Sequence, residues 1–263
     1  MSSIALTEGP RAIVHERLSV PRLLGIAFLG VILTSLAGGF MVDTAIGPGD
    51  RSDLLQHLST RLPMARAGVV VDLLTSAGIV TLAALLYTVL NVHGRVAARV
   101  ALGCWLLEAM FMAISRMGAL ALAYLSEAFV DAGSPAESAY QAMGESLYRA
   151  MYAPAYTVHM FFYCIGGLLW YGLFYRSSTV PRLIALWGIV ATAVGLAGIV
   201  AEIMGATAPT VVFLPLLGFE LAIGIWLTMR SVRESGSPEG AYARRHSGLG
   251  KRGRHASATG GSR

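Results

Sequence analysis

Six runs of the chain, residues 23–42, 68–90, 100–125, 155–175, 183–204 and 211–229, are apolar almost from end to end. A helix of about 20 such residues crosses the ~30 Å hydrocarbon layer of a bilayer. In that layer no water satisfies the backbone, so only helices and closed barrels can span it. Barrel strands need only about ten residues each, so runs of this length predict an all-α membrane protein, a bundle of six transmembrane helices. Composition agrees: 55% of the 263 residues are hydrophobic and 13% charged, against about 45–50% and about 25% in soluble domains. The first run follows a long polar lead and exceeds the usual signal-peptide core, so it is expected to remain as a span.

Positive charge sets the expected orientation, because Lys and Arg resist translocation while acids have little effect. Arg11, Arg17 and Arg22, then Arg95 and Arg99, then Arg176 and Arg182, then Arg230 fall on one side of the alternating spans. That side is expected to be the cytoplasm, with both termini on it. The other side carries Arg51, Arg61, Arg66 and Arg149, diluted by acids that include Asp43, Asp50, Asp53, Glu127 and Glu137. The organisation that follows is a cytoplasmic segment over 1–18, a six-span domain over 19–230 and a disordered basic tail over 231–263. The tail holds Lys251, the single lysine, in a Gly- and Ser-rich background that cannot form a core. It is expected to touch anionic lipid rather than a specific nucleic acid.

Each outer loop contains a helix start signal. Ser134-Pro135-Ala136-Glu137 reads as a capping box with Pro at the first helical position, and Tyr140, Met143, Leu147 and Met151 recur at helical spacing. After Gly47-Pro48-Gly49, Asp50 and Asp53 precede Leu54, Leu55, Leu58 and Leu62, which share one face. Two amphipathic helices are therefore expected, either resting on the outer leaflet or covering a site. A faint echo relates the first and fifth spans: Val20-Pro21-Arg22-Leu23 recurs as Val180-Pro181-Arg182-Leu183, and Leu36-Ala37-Gly38 as Leu196-Ala197-Gly198. A parallel repeat and convergence on the same span-start chemistry both account for it.

Ionisable residues within spans cost about 2.5–3.5 kcal/mol at mid-membrane and need a partner, water or a function. Six occur here: Asp72, Glu108, Arg116, His159, Glu202 and Glu220. Asp72, Arg116, His159 and Glu202 map to the outer half, and Glu108 and Glu220 lie nearer the midplane. In the fourth span Tyr152, Tyr156, His159, Tyr163, Gly167 and Trp170 follow steps of three and four, one aromatic and hydrogen-bonding stripe. Gly68, Asp72 and Ser76 make a small, polar face on the second span that admits a close neighbour. These faces either meet around an outward-facing polar pocket, with Asp72, Arg116, Tyr156, His159, Tyr163 and Glu202 as its ligand-binding set, or serve as helix packing and glue. Four carboxyls share the spans with one arginine and one histidine, so they cannot all be paired. Glu108 and Glu220 are the candidates for taking up and releasing a proton, or for meeting a cationic ligand.

Several chemistries find no support in the residues. A retinal Schiff base needs a lysine inside a span, and a bis-His haem needs two span histidines where only His159 is present. One histidine among carboxylates is a poor intramembrane metal site, and no Walker loop, dinucleotide fingerprint, nucleophile elbow or HExxH run occurs. No cofactor is expected. Cys104 and Cys164 lie inside apolar runs and read as small packing residues.

Arg66-Ala67-Gly68 followed by Asp72-Leu73-Leu74, with His159, Gly166, Gly167, Ser177, Pro181 and Arg182 further on, resembles the bacterial membrane proteins grouped as domain of unknown function 4386. The likeness covers about residues 18 to 230. It implies six spans in the bacterial inner membrane, with no established activity, cofactor or partner. The family pattern implies an arginine in the cytoplasmic half of the third span, where this chain has Trp105-Leu106-Leu107-Glu108.

The function expected from these readings is binding or transport of a small molecule or a lipid through the outer-facing pocket. A structural or regulatory membrane subunit is the alternative. A lipid-modifying enzyme dependent on His159 comes third.

Overall fold

The computed structural model describes residues 20–47, 53–135, 139–207 and 209–236, and among these no strand occurs. The helices are α1 (Val20–Ile46), α2 (Leu54–Ser59), α3 (Leu62–Leu90), α4 (Arg95–Asp131), α5 (Ala139–Leu147), α6 (Ala153–Ser177), α7 (Arg182–Ile203) and α8 (Leu214–Gly236). Six of them, α1, α3, α4, α6, α7 and α8, are long and apolar enough to cross a membrane. They coincide with the six expected runs. Four run well past them: α1 continues to Ile46, α3 starts at Leu62, with Pro63 in its first turn, α4 extends over 37 residues, and α8 continues to Gly236. The terminal segments 1–19 and 237–263, which include most of the basic tail, lie outside the described residues.

The long helices pack in chain order around a ring. α1 lies against α3, α3 against α4, α4 against α6, α6 against α7, and α7 against α8, which returns to α1. Glycines set the closest approaches, as expected where apolar lipid provides no drive for helices to associate and contact depends on shape. Gly25 faces Thr228 and the Gly224 backbone, Gly224 faces Leu29, and Gly188 lies against the Phe219 ring. Gly38 lies against Asp72, so it packs α1 on α3 within the chain, whereas Gly30 faces open space.

Between α4 and α6 the contact is aromatic. Trp105 stacks on Tyr163 at 6.0 Å and 9°, and its Nε1 donates to the Tyr163 carbonyl at 3.2 Å. A Cβ on Gly166 would collide with the same indole, so this glycine is the recess into which Trp105 fits.

The loop helices gather at one end of the ring, called the cap end below. Leu54, Leu55 and Leu58 of α2 are fully buried against Val42, Val69, Leu122 and Phe129. The Ser126 hydroxyl donates to the Leu55 carbonyl at 2.7 Å, tying α2 to α4. α5 is joined to α6 without a loop, through a π turn over Tyr148–Tyr152. Pro154 accounts for the irregularity, since it has no N–H to continue the α ladder. The expected capping box falls partly on residues 136–138, outside the described set. Ser134 itself has φ +51 and, with Gly133 at φ +83, belongs to the turn that ends α4, where its N–H donates to the Phe129 carbonyl at 3.0 Å. Asp53 precedes α2 without a side-chain capping bond.

Overfilling the Gly166 recess is expected to cost about 1–3 kcal/mol. Gly166→Ala should therefore lower the melting temperature of the purified protein by several degrees. Gly103→Ala, on a site where a Cβ meets nothing within 4 Å, should leave it unchanged or raise it, because Ala is the better helix former.

Candidate functional site

Asp72, completely buried one-third of the way along α3, is pressed against Gly38 of α1 and pairs with Arg116 of α4, whose Nε lies 3.2 Å from Asp72 Oδ2. Any side chain at position 38 would overlap the carboxylate. The pair thus joins three helices, and burial of both side chains places it where Coulomb attraction is weakly screened.

Beside the pair is a chamber of about 300 Å³ whose wall includes Ser35, Asp43, Asp72, Ser115, Arg116, Tyr148, Tyr156 and His159. Towards the cap end Asp43 and Tyr148 also line an adjoining space of about 600 Å³ with His57 and Arg61, whose guanidinium lies 3.2 Å from His57 Nδ1. Deeper in the ring, Ser35, Met112, Tyr156 and His159 are shared with a second chamber of about 260 Å³. This inner chamber reaches Thr75, Glu108, Tyr163 and Glu220. Three spaces with common walls therefore lead from the cap end towards the middle of the bundle.

Hydrogen bonds join α6 to α8 on one side of the inner chamber. The Tyr163 hydroxyl donates to Glu220 Oε1 at 2.6 Å and lies 3.3 Å from the Tyr171 hydroxyl. Glu108 is 5% exposed, and its Oε2 has no hydrogen-bond partner among the described residues. Near the opposite end of the ring α1 and α8 touch at Gly25–Thr228 and Leu29–Gly224, but further along they part. Ser35 and Leu36 stand on one wall of the chamber, and Phe213, Leu214 and Leu217 on another. Leu36 and Leu214 are 53% and 57% exposed, so the chamber also borders the outer surface of the bundle through an apolar gap.

Of the residues singled out from sequence, Asp72, Arg116, Tyr156 and His159 share the chamber beside the ion pair, and Tyr156, His159, Tyr163, Glu108 and Glu220 share the inner one. The stripe on α6 divides. Tyr156, His159 and Tyr163 line the chambers, while Gly167 packs near Tyr171 and Thr192 and Trp170 is buried in the core. Glu202, half-buried near the end of α7, does not line these chambers. Sequence reasoning missed Asp43, which was counted among the loop acids but sits in the last turn of α1, and the polar wall residues Ser35, Thr75, Ser115 and Tyr148. Thr75 was accessible in principle, since it follows Asp72 by three residues. Both cysteines are free, Cys164 buried and Cys104 partly so.

A ring of six apolar helices with a charged pair and polar chambers inside defines a multi-pass membrane protein. The chain belongs to the family described as domain of unknown function (DUF4386), whose model matches residues 23–231. No curated protein and no solved structure gives a significant match to it. The residues on which the resemblance rested have distinct physical jobs. Arg66 reaches both oxygens of Glu127 at 2.8 and 2.9 Å, Gly68 lies against Met41 and Val42, and Gly166 receives Trp105. Ser177 Oγ accepts from the Thr179 hydroxyl at 2.8 Å in the turn that leads to Pro181 and α7.

Removing one partner of a buried pair leaves the other charge uncompensated, at a cost of about 3–5 kcal/mol. Asp72→Ala and Arg116→Ala are each expected to lower stability strongly, and the double variant by much less than their sum, in a double-mutant cycle measured by thermal unfolding. Arg66→Ala and Glu127→Ala, on a pair with side chains 46% and 39% exposed, should cost at most about 1 kcal/mol.

Proposed function

We propose that this protein binds or transports a small molecule or a lipid, which enters the ring from the cap end. The observation that carries this reading is the joined set of chambers with the Asp72–Arg116 pair in its wall. A pair serving only to hold helices together needs no cavity beside it. Binding sites in helical membrane proteins are concave, mostly apolar and furnished with a few converging polar groups, and Tyr156, His159 and Ser115 supply those groups here. The gap between Leu36 and Leu214 adds a route by which an acyl or other apolar tail could extend into lipid.

The cap end is the outer end in this reading. Arg22, Arg95, Arg99, Arg176, Arg182 and Arg230 all belong to the opposite end of the alternating helices, and this excess of positive charge supports reading that end as cytoplasmic, in a bacterial inner membrane. Glu108 and Glu220 would then lie part-way across, positioned to couple ligand movement to a proton.

A structural or regulatory subunit is the second reading. It is favoured by one observation, the Asp72 carboxylate wedged against Gly38, which makes the pair a clamp on α1, α3 and α4 whatever else it does.

Native mass spectrometry of gently purified protein, wild type beside Arg116→Ala, separates the two. Under the binding reading the wild type retains a species that survives detergent exchange, and the variant loses it. Absence of any retained mass from both, with the variant markedly less stable, would favour the subunit.

A further inference from the structure

We infer that the inner chamber is a site for a hydrophobic organic cation, an ammonium on an aromatic or alkyl body, held between Glu108 and Glu220. The inference rests on the binding reading above and names the class of ligand that the inner part of the cavity takes.

Three observations carry it. The first is charge: the chamber wall carries two carboxyl groups from α4 and α8, and no Arg or Lys is among its described lining residues. His159, shared with the neighbouring chamber, is the one basic group on the wall, and Arg116 lines the other chamber, where Asp72 neutralises it. The second is an unmet acceptor. Glu108 is 95% withdrawn from the surface, lines the chamber, and has an Oε2 with no hydrogen-bond partner among the described residues. Leaving such an atom buried and unbonded costs about 1–3 kcal/mol, more when it is charged, and a protonated amine with up to three N–H donors supplies what it lacks. Glu220 is half satisfied, by the Tyr163 hydroxyl on Oε1.

The third observation is the rest of the wall. Ile32, Ile79, Met112 and Met160 give an apolar surface for a ligand body, and Tyr156 and Tyr163 add aromatic rings to the same wall. A dry cavity of about 150 Å³ holds benzene, so about 260 Å³ has room for an aromatic ring and a short aminoalkyl chain. The gap between Leu36 and Leu214 lets a longer tail project to the lipid.

The test is isothermal titration calorimetry of the purified full-length protein with three ligands of matched body: 4-phenylbutylamine, 4-phenylbutanol and 4-phenylbutyrate. The amine is expected to bind at least ten-fold tighter than the alcohol, and the carboxylate not measurably. Glu108→Gln, nearly isosteric, should weaken amine binding at least ten-fold while leaving the alcohol within two-fold, and Glu108→Asp, which keeps the charge, should restore part of the loss. Equal affinity for amine and alcohol, or an amine affinity unchanged in both Glu108→Gln and Glu220→Gln, overturns the inference. The broader binding reading fails separately. A neutral or anionic species retained in native mass spectrometry and lost in Arg116→Ala, with no preference for the amine, refutes the cation site and leaves the pocket. No retained species and no binding of any of the three removes both.

Discussion

The carboxylate of Asp72 occupies the space that a side chain at residue 38 would need, and the charge so placed is matched by Arg116. Three helices meet at this point, so their spacing is dictated by one glycine and one ion pair. Inside a bilayer the alternatives are poor. An unmatched Asp72 at this depth would have to lose its charge or draw in water, and a larger residue at position 38 would push α1 off α3. The remaining architecture is arranged around this fixed corner: α1 continues to α8, α4 continues to α6, and the ring closes through α7.

Closing a ring of six helices leaves a middle to be filled, and this protein fills its two ends differently. Away from the cap, Trp105, Trp170, Tyr171 and Phe219 pack solidly with Leu86 and Leu90. Around the chambers the inward-facing residues include Ser35, Thr75, Ser115 and the four ionisable groups on α3, α4 and α8, which are too short or too polar to pack to the same density. The chambers are thus a consequence of side-chain choice at these inward positions on an otherwise regular bundle. The Tyr163 hydroxyl, between Glu220 and Tyr171, stands at the boundary between the two regimes.

The number and order of spans were legible because each is an uninterrupted apolar run, a signal that lipid enforces strongly. The ionisable residues were legible for the reason that they are rare in such runs, and Asp72, Arg116 and His159 line one chamber. What escaped reading depended on distance in three dimensions. Asp43 looked like a loop acid because the hydropathy of α1 fades before the helix does. Glu202 carries the same signal as Glu220 in sequence, yet α7 touches the ring at its neighbours and leaves that residue off the chamber walls. Ser35 and Ser115 are unremarkable in composition, and only the packing angles of α1 and α4 turn them inward. The unbroken run from α5 into α6 was hidden by Pro154, which marks a helix boundary in most sequences and here sits behind a π turn.

The 37 residues of α4 would measure about 55 Å at 1.5 Å each, nearly twice the hydrocarbon thickness of a bilayer. Its last turns carry Ser126, Glu127 and Phe129, which hold α2 and the start of α3. The cap is therefore a stiff extension of a spanning helix rather than a loop hung between two of them. A mismatch with bilayer thickness is met by tilting a spanning helix or by deforming the lipid around it, and because α2 is tied to α4 through Ser126, any tilt of α4 carries that part of the cap with it.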